Sequence, residues 1–143
     1  MYDRIVDVPR LQASMSLEDP AAGLNLRAVV KRVKVLAPAA YTQVGLNFYR
    51  DGRDSVAMHN DRTHDLVDGK PIAILSLGTT RDMLIRRKGK GTRAMRITLE
   101  PGSLMVMSHA AQFTHEHGIP KTSRIVGARI SCAFRVRSNL EKI

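Results

Sequence analysis

The sequence places a histidine and an aspartate two positions apart, at His59 and Asp61. Side chains at positions i and i+2 of an extended strand leave the same face, so an imidazole and a carboxylate can converge there on one point. These groups are two of the three ligands in the 2-His-1-carboxylate triad that holds non-haem Fe(II). The third ligand must come from elsewhere, and a later segment that contains His115 and His117 can supply it.

The two later histidines leave a choice of ligand. Because His115 and His117 also stand two positions apart, both can share one strand face. A His-x-His pair is typical of a cupin site, which usually adds a carboxylate shortly afterwards, whereas the next acidic residue after His117 is Glu141. The cupin interpretation is therefore the weaker one. The remaining histidines, His64 and His109, are predicted to lie on the surface or in loops.

Short strands separated by turn residues are predicted to position these side chains. The region after Ala40 consists of short apolar or alternating runs bounded by glycine, proline and aspartate. The predicted strands are Tyr41–Arg50, Ser55–His59, Pro71–Gly78, Asp82–Arg87, Arg93–Glu100, Ser103–Ser108 and Arg124–Arg137. About eight short strands at even spacing favour a sandwich or a jelly roll.

The first forty residues carry one helix signal. From Asn25, apolar residues recur at three- and four-residue spacing with basic residues between them, which predicts an amphipathic helix packed against the outside of a sheet. Asn25 is its expected cap and Pro38 its stop. Residues 12–24 are predicted to be a loop. Val6–Leu11 is predicted to be an edge strand, since Pro9 cannot donate a ladder hydrogen bond.

The composition predicts one domain that attracts polyanions. With 143 residues and 43% hydrophobic content, the chain can bury a sizeable core. Its formal net charge of +10 attracts nucleic acid or an anionic membrane surface, although it serves solubility equally well. No apolar run reaches the roughly 20 residues of a membrane helix, and the start lacks a signal-peptide pattern. The single cysteine, Cys132, is predicted to be a buried thiol, and we expect a cytoplasmic protein.

Four features of the sequence occur together in one order. They are Asn47-x-Tyr49, His59-x-Asp61, His117-Gly-Ile-Pro, and Arg129 followed six residues later by Arg135. In this set, and in the apolar segments 71–78 and 99–107, the sequence resembles the AlkB-type Fe(II)/2-oxoglutarate-dependent dioxygenases. The likeness extends from about Asn47 to Arg137.

The resemblance implies a fold and a domain organisation. The fold is mainly β with a flanking N-terminal helix, and it is the double-stranded β-helix, or jelly roll. Residues 1–143 are expected to form a single dioxygenase domain. Within it, residues 1–40 form an abbreviated N-terminal segment with one helix, and residues 41–137 form the jelly-roll core.

The resemblance also assigns a metal and its co-substrates. The Fe(II) ligands that it implies are His59, Asp61 and His117. The implied co-substrates are O₂ and 2-oxoglutarate, whose distal carboxylate is expected to pair with the rigid, always charged guanidinium of Arg129. Tyr49 is expected to bind the same carboxylate. Asn47 and Arg135 are expected nearer the metal, where Arg135 steadies Asp61 and the proximal carboxylate.

Alternation along the last predicted strand places Arg129 and Arg135 on one face, opposite an apolar face that includes Phe134. Two arginines inside an apolar barrel would cost several kcal/mol unless they are paired, and a bound dicarboxylate is a natural partner. The alternative is that both face water. With His117 as the ligand, His115 is expected to lie behind the metal ligands or on the substrate side.

The chemistry that the resemblance implies is oxidative dealkylation of a nucleobase in DNA or RNA. The 2-oxo acid loses CO₂ to give succinate, an N-alkyl carbon is hydroxylated, and an aldehyde leaves. The base must be single-stranded or flipped out of a duplex. The segment 86–93, with five cations in eight residues, could grip phosphates or could be a solvated hairpin tip.

Two features depart from the family's pattern on the substrate side. Arg62 and Thr63 follow the His-x-Asp pair where members that repair DNA commonly carry acidic residues. Only 46 residues precede Asn47, so a lid over the nucleotide is expected to be abbreviated. The alternatives are an oxygenase that acts on a protein or small molecule, and a non-catalytic basic jelly roll that binds nucleic acid. A monomer that does not enter membranes is expected in each case.

Overall fold

The computed structural model describes residues 8–138 of the chain. Within that part it has nine strands and two helices. In chain order they are β1 (Leu11–Ser16), α1 (Leu24–Leu36), β2 (Gln43–Tyr49), β3 (Val56–His59), β4 (Ile72–Gly78), β5 (Arg81–Arg87), β6 (Met95–Leu99), β7 (Leu104–Met107), α2 (Ala111–Thr114), β8 (His115–Ile119) and β9 (Arg129–Arg135). None of the described helices is long and apolar enough to cross a bilayer.

The nine strands form two antiparallel sheets. The five-stranded major sheet has the order β1-β2-β9-β4-β7, and the four-stranded minor sheet has the order β3-β8-β5-β6. Most neighbours in the sheets are distant in the chain, as in a jelly roll. Apolar side chains meet between the sheets, among them Ile72 and Ile74 from the major sheet and Met83 and Ile119 from the minor sheet. The predicted mainly β jelly roll is thereby confirmed.

Each of the seven strands predicted after Ala40 has a counterpart in the structure. β5 and β6 form the expected hairpin, in which Arg81 pairs with Leu99 and Ile85 with Met95. β8 is not among the predicted strands. It pairs with both β3 and β5, and so lies in the middle of the minor sheet.

The edge strand β1 corrects the prediction of a loop over residues 12–24. Residues 11–16 pair with β2 along their whole length. Almost all their side chains are exposed, so main-chain hydrogen bonds hold the strand and no apolar alternation marks it in the sequence. The predicted strand Val6–Leu11 is wrong for residues 8–10, which precede β1, while residues 6 and 7 lie outside the described part.

Helix α1 covers the outer face of the major sheet, as predicted. Its two buried valines, Val30 and Val33, belong to an apolar cluster with side chains of β2, β4 and β9. The helix ends just before Pro38, which confirms the predicted stop. The predicted cap is wrong, because Gly23 rather than Asn25 precedes the first helical residue, and no side chain caps the helix.

Candidate active site

Strand pairing in the minor sheet brings two histidines together. β3 pairs with β8 so that His59 is opposite His117, and the centroids of the two rings are 4.5 Å apart. Gly118 permits this close approach, since a Cβ at that position would lie 2.8 Å from the Val56 carbonyl oxygen. Any side chain at position 118 would therefore collide with the main chain of β3.

Asp61 completes the group. It lies two residues beyond the end of β3, in a segment without regular structure. Its Oδ1 is 3.9 Å from Nε2 of His59 and 3.9 Å from Nε2 of His117. The ligand atoms of the three residues all lie within 4.8 Å of one another. Within residues 8–138, these three form the only such cluster of His, Cys, Asp or Glu side chains.

The electrostatics of this cluster keep Asp61 ionised. Burial by itself would raise the pKa of Asp61, but the Arg135 guanidinium and the two histidines bring that pKa below its usual value. Nε of Arg135 lies 2.6 Å from Oδ2 of Asp61. Burial, together with the nearby His59 ring, lowers the pKa of His117 to about 4. At neutral pH the cluster therefore offers a negatively charged oxygen and an uncharged His117 nitrogen.

The ring of His59 is oriented to bind a metal through Nε2. Its Nδ1 lies 2.8 Å from the Ala57 main-chain carbonyl oxygen. Because a carbonyl can only accept, Nδ1 of the neutral ring carries the proton and Nε2 keeps its lone pair. Two imidazole nitrogens and one carboxylate oxygen are the donor set of non-haem Fe(II). The residues present therefore fit this metal.

Arg135 lies over a glycine of the neighbouring strand β2. A Cβ at Gly45 would lie 2.7 Å from Nη1 of Arg135. Since Nη1 is the far end of a flexible side chain, Gly45→Ala is expected to preserve the fold and to displace the guanidinium from Asp61. We expect Mn(II) binding, measured by calorimetry, to weaken about 10-fold. Gly23→Ala, whose added Cβ meets no atom within 4 Å, is the control, and equal affinities in both variants would contradict the prediction.

A buried arginine lies beside the three metal-ligand candidates. Arg129 is 1% exposed, and its Nη2 donates to Oγ of Ser76 at 3.0 Å. Its Nε and Nη1 are buried without a hydrogen-bond partner in the described part of the chain. The guanidinium carbon lies 5.1 Å from the centre of the Tyr49 ring. Unpaired donors on a buried cation fit an anionic ligand such as a carboxylate.

One cavity brings together all seven site residues predicted from the sequence. They are Asn47, Tyr49, His59, Asp61, His117, Arg129 and Arg135. Arg129 and Arg135 share the inner face of β9, so the alternative that both face water is wrong. The seven residues come from both sheets. The three metal-ligand candidates belong to the minor sheet and the segment after β3, and the other four residues belong to the major sheet.

Arg10 also lines this cavity, and sequence reasoning missed it. Its Nε donates to Oδ1 of Asn47 at 2.8 Å. Arg10 is also close enough to Tyr49 to act on its phenol, whose pKa burial raises and the charges of Arg129 and Arg10 partly lower again. The Arg10–Asn47 contact spans 37 positions of sequence, and no motif surrounds Arg10. Only the pairing of β1 with β2 brings it to the site.

The cavity opens into a wider polar groove of about 590 Å³. Asn47, His59, Asp61 and Arg135 line both spaces, so a molecule in the groove would lie next to the metal-ligand candidates. Residues of β1 and the segment after His59, including Arg62, form its walls. The groove is therefore the candidate substrate entrance.

The other histidines lie apart from the metal cluster. Nδ1 of His115 is 2.7 Å from Oγ1 of Thr114, and His115 is not one of the three clustered side chains. His64 is exposed in the loop after β3, as predicted. His109 lies in a loop as predicted, but its side chain is only 14% exposed and stacks edge-on against Phe113.

The ligand-free protein is expected to lose stability in mild acid. The pKa of His117 is about 4 in the folded protein, against an ordinary value of 6.5. Between these values the unfolded chain binds more protons, so stability that is complete above pH 6.5 falls as the pH falls towards 4. Denaturant titrations across this range should show the loss. His117→Gln should show a flatter pH dependence, and an equally steep one would contradict the assignment to His117.

Comparison with known proteins gives the family. The sequence model of the 2OG-Fe(II) oxygenase superfamily matches residues 12–135. The DNA oxidative demethylase ALKBH2 of Bos taurus is 30% identical over 117 residues, which cover 77% of this chain and 42% of that protein. The alpha-ketoglutarate-dependent dioxygenase alkB homolog 3 of Mus musculus is 36% identical over 97 residues, covering 62% of this chain and 34% of that protein. The chain spans less than half the length of these relatives.

A solved structure shares the fold. OsALKBH1 superposes with a TM-score of 0.56 at 20% sequence identity, over 78% of this chain and 61% of that one. At this identity the likeness concerns the jelly roll alone. The superfamily match, by contrast, includes both strands that carry the histidines, the Asp61 segment and the buried arginine of β9. The chain therefore belongs to the 2OG-Fe(II) oxygenase superfamily, as an AlkB-type member.

Proposed function

We propose that the protein is an Fe(II)- and 2-oxoglutarate-dependent dioxygenase that removes alkyl groups from nucleobases in DNA or RNA. The observation that carries this proposal is the meeting of three metal-ligand candidates and the incompletely paired Arg129 in one cavity. Membership of the superfamily implies Fe(II), 2-oxoglutarate and O₂. The name of the bovine relative, a DNA oxidative demethylase, supports a nucleobase as the substrate.

In the proposed reaction, His59, Asp61 and His117 hold Fe(II). Bound Fe(II) and 2-oxoglutarate together supply the oxidation of a C–H bond by O₂. For a methylated base, the N–CH₃ group becomes N–CH₂OH, and the break of its C–N bond releases formaldehyde while the hydroxyl proton moves to the nitrogen. The remaining oxygen atom enters succinate as 2-oxoglutarate loses CO₂. Atoms and electrons then balance without a further reductant.

The major sheet supplies the groups that orient the co-substrate in this proposal. Arg129 would direct its unpaired N–H donors to the distal carboxylate of 2-oxoglutarate, while its Nη2 also donates to Ser76. Tyr49, against the guanidinium, shares this carboxylate. Asn47 is proposed to lie nearer the metal, and Arg135 keeps Asp61 ionised through the ion pair between their side chains.

The proposed partner is a nucleic acid with the target base outside the stack, as a single strand or a flipped nucleotide. The groove beside His59 is open enough to admit such a base. Four cations of the β5–β6 hairpin tip are exposed: Arg87, Lys88, Lys90 and Arg93. Arg86, in contrast, is paired with Glu116 across the sheet. The exposed cations are therefore free to contact phosphates.

Turnover with defined oligonucleotides tests the proposal. Fe(II) and 2-oxoglutarate would be titrated anaerobically, and succinate release would then be measured with methylated and unmethylated single strands. We expect methylated strands to stimulate release and to yield formaldehyde. His59→Ala should abolish both, and turnover retained in that variant would contradict the proposed metal site. Turnover indifferent to the oligonucleotide would indicate a protein or small-molecule substrate. Salt-sensitive oligonucleotide binding that ignores chelator and Arg129→Ala would indicate a non-catalytic module.

Removal of two hairpin charges is expected to weaken oligonucleotide binding. Lys88→Gln combined with Lys90→Gln should reduce the salt dependence of affinity, measured by fluorescence anisotropy, by about 0.7 in slope for each lost phosphate contact. Lys31→Gln combined with Lys34→Gln makes the same change of net charge on the exposed face of α1. Equal losses in both double variants would show that only net charge matters, and would contradict a hairpin contact.

A further inference from the structure

The segment that carries Asp61 leaves the sheet before it reaches the site. The β3–β8 pairing ends where His59 is opposite His117, and its register is irregular between Val56 and His59. Residues 60–63 have no regular secondary structure. The sheet ladder therefore fixes His59 and His117, but it does not fix the main chain of Asp61.

Two amide side chains take the place of the missing ladder. Oε1 of Gln112 accepts the main-chain N–H of Asp61 at 3.0 Å. Nδ2 of Asn60 donates to the main-chain carbonyl oxygen of His115. Both contacts join the segment after β3 to the residues around α2 and the start of β8. The first contact acts on Asp61 itself.

Gln112, which accepts the hydrogen bond from Asp61, is buried. Its side chain is in the short helix α2, and the residue is 2% exposed. His117 lies five residues further along the same segment. The hydrogen bond between Gln112 and the Asp61 N–H is partly buried. A main-chain donor that is partly shielded from water and loses its acceptor is unfavourable unless it finds another. Without Gln112, the main chain of Asp61 is therefore expected to rotate away from its present position.

We infer that Gln112 is a positioning residue of the metal site, which acts through the main chain of Asp61 and never touches the metal. This inference rests on the proposed function, since it assumes that the cluster of His59, Asp61 and His117 binds a divalent metal. The carboxylate must face both histidines and Arg135 at once. Fixing the Asp61 N–H restricts the backbone rotation that would turn the carboxylate away. Partners that orient metal ligands in this way typically change metal affinity about 10- to 100-fold.

The test measures Mn(II) binding by calorimetry, and the low-temperature EPR spectrum of bound Mn(II), in the full chain. Gln112→Leu keeps the approximate side-chain volume and removes the acceptor. We expect Mn(II) to bind about 10- to 100-fold more weakly, with an altered spectrum. Tyr41→Phe is the matched control. It also removes a buried hydrogen bond between a side chain and the main chain, from the Tyr41 hydroxyl to the Ala37 carbonyl oxygen, but on the helix side of the major sheet. It should lower thermal stability without changing Mn(II) affinity.

If Gln112→Leu does not fold, a second variant, Gln112→Asn, tests the inference. Gln112→Asn keeps a buried amide but withdraws its oxygen by about one C–C bond from the Asp61 N–H. It should fold and still bind Mn(II) more weakly than the unaltered chain. The inference is overturned if a folded Gln112 variant binds Mn(II) with unchanged affinity. If the unaltered chain binds no Mn(II), it is instead the proposed function that fails.

Discussion

Arg129→Met is expected to weaken 2-oxoglutarate binding about 30- to 5,000-fold and, in the ligand-free protein, to raise the thermal midpoint. Arg129 is 1% exposed and uses one of its three nitrogens on a hydrogen bond, to Ser76. Arg129 makes no ion pair with an acidic side chain in residues 8–138, and burying such a charge without an opposite charge is costly. A methionine of similar volume removes that cost. Loss of one partner of a buried, hydrogen-bonded charge pair costs binding about 2–5 kcal/mol, or about 30- to 5,000-fold in Kd. Calorimetry with 2-oxoglutarate and Mn(II), beside thermal unfolding, measures both effects.

Arg81→Met is the matched control for this prediction. Arg81 is also buried and lies 5.6 Å from the centre of the same Tyr49 ring. Its Nη atoms, however, donate to three main-chain carbonyl oxygens, those of Asp51, Asp54 and Pro120. Its loss should therefore lower stability. If both variants lose stability equally, the unused donors of Arg129 do not mark a ligand site.

Asp61→Ala is expected to abolish Mn(II) binding and to destabilise the ligand-free protein. The Asp61 side chain is 5% exposed and that of Arg135 16% exposed. Removal of one partner from a buried ion pair costs about 3–5 kcal/mol, because the other charge stays buried without compensation. The direction of the stability change is thus opposite to that of Arg129→Met. Chemical denaturation and Mn(II) calorimetry measure the two effects.

Asp65→Ala serves as the control for Asp61→Ala. Asp65 also follows β3 and pairs with Arg137, which lies two residues beyond the end of β9. Its side chain is 24% exposed, and it is not part of the metal cluster. We expect a smaller loss of stability and unchanged Mn(II) binding. Loss of Mn(II) binding in both variants would mean that Asp61 acts through the loop and not as a ligand.

Local pattern was enough to predict most strands, whereas the seven cavity residues were predicted from the resemblance to the AlkB-type dioxygenases. The buried strands have apolar runs or alternation that their faces require, as in Ile72–Gly78. The prediction that Arg129 and Arg135 share one face follows from the two-residue period of β9 alone, but that period does not say whether the face points inward or to water. Strand β1 could not be found in this way. Almost all its residues are exposed, and mainly the main chain of β2 holds them in the sheet.

The residues that sequence reasoning missed act through contacts distant in the chain. Arg10 reaches Asn47 across 37 positions, and Gln112 reaches Asp61 across 51. Neither has neighbours that distinguish it from an ordinary polar residue. Gly45 was missed for a similar reason. A glycine is needed at this position because the Arg135 side chain, distant in the chain, lies directly over it. Such residues become visible only when the sheet order is known.

The division of the site between the two sheets has a consequence for how the site can vary. The metal-ligand candidates lie on the minor sheet or the segment after β3, and the residues proposed to bind the co-substrate lie on the major sheet. The distance between the two sets is therefore determined by the thickness of the apolar interior, where Ile74 and Met83 meet. A bulkier or smaller side chain in that interior would change the spacing between the two sets of residues without altering any polar residue.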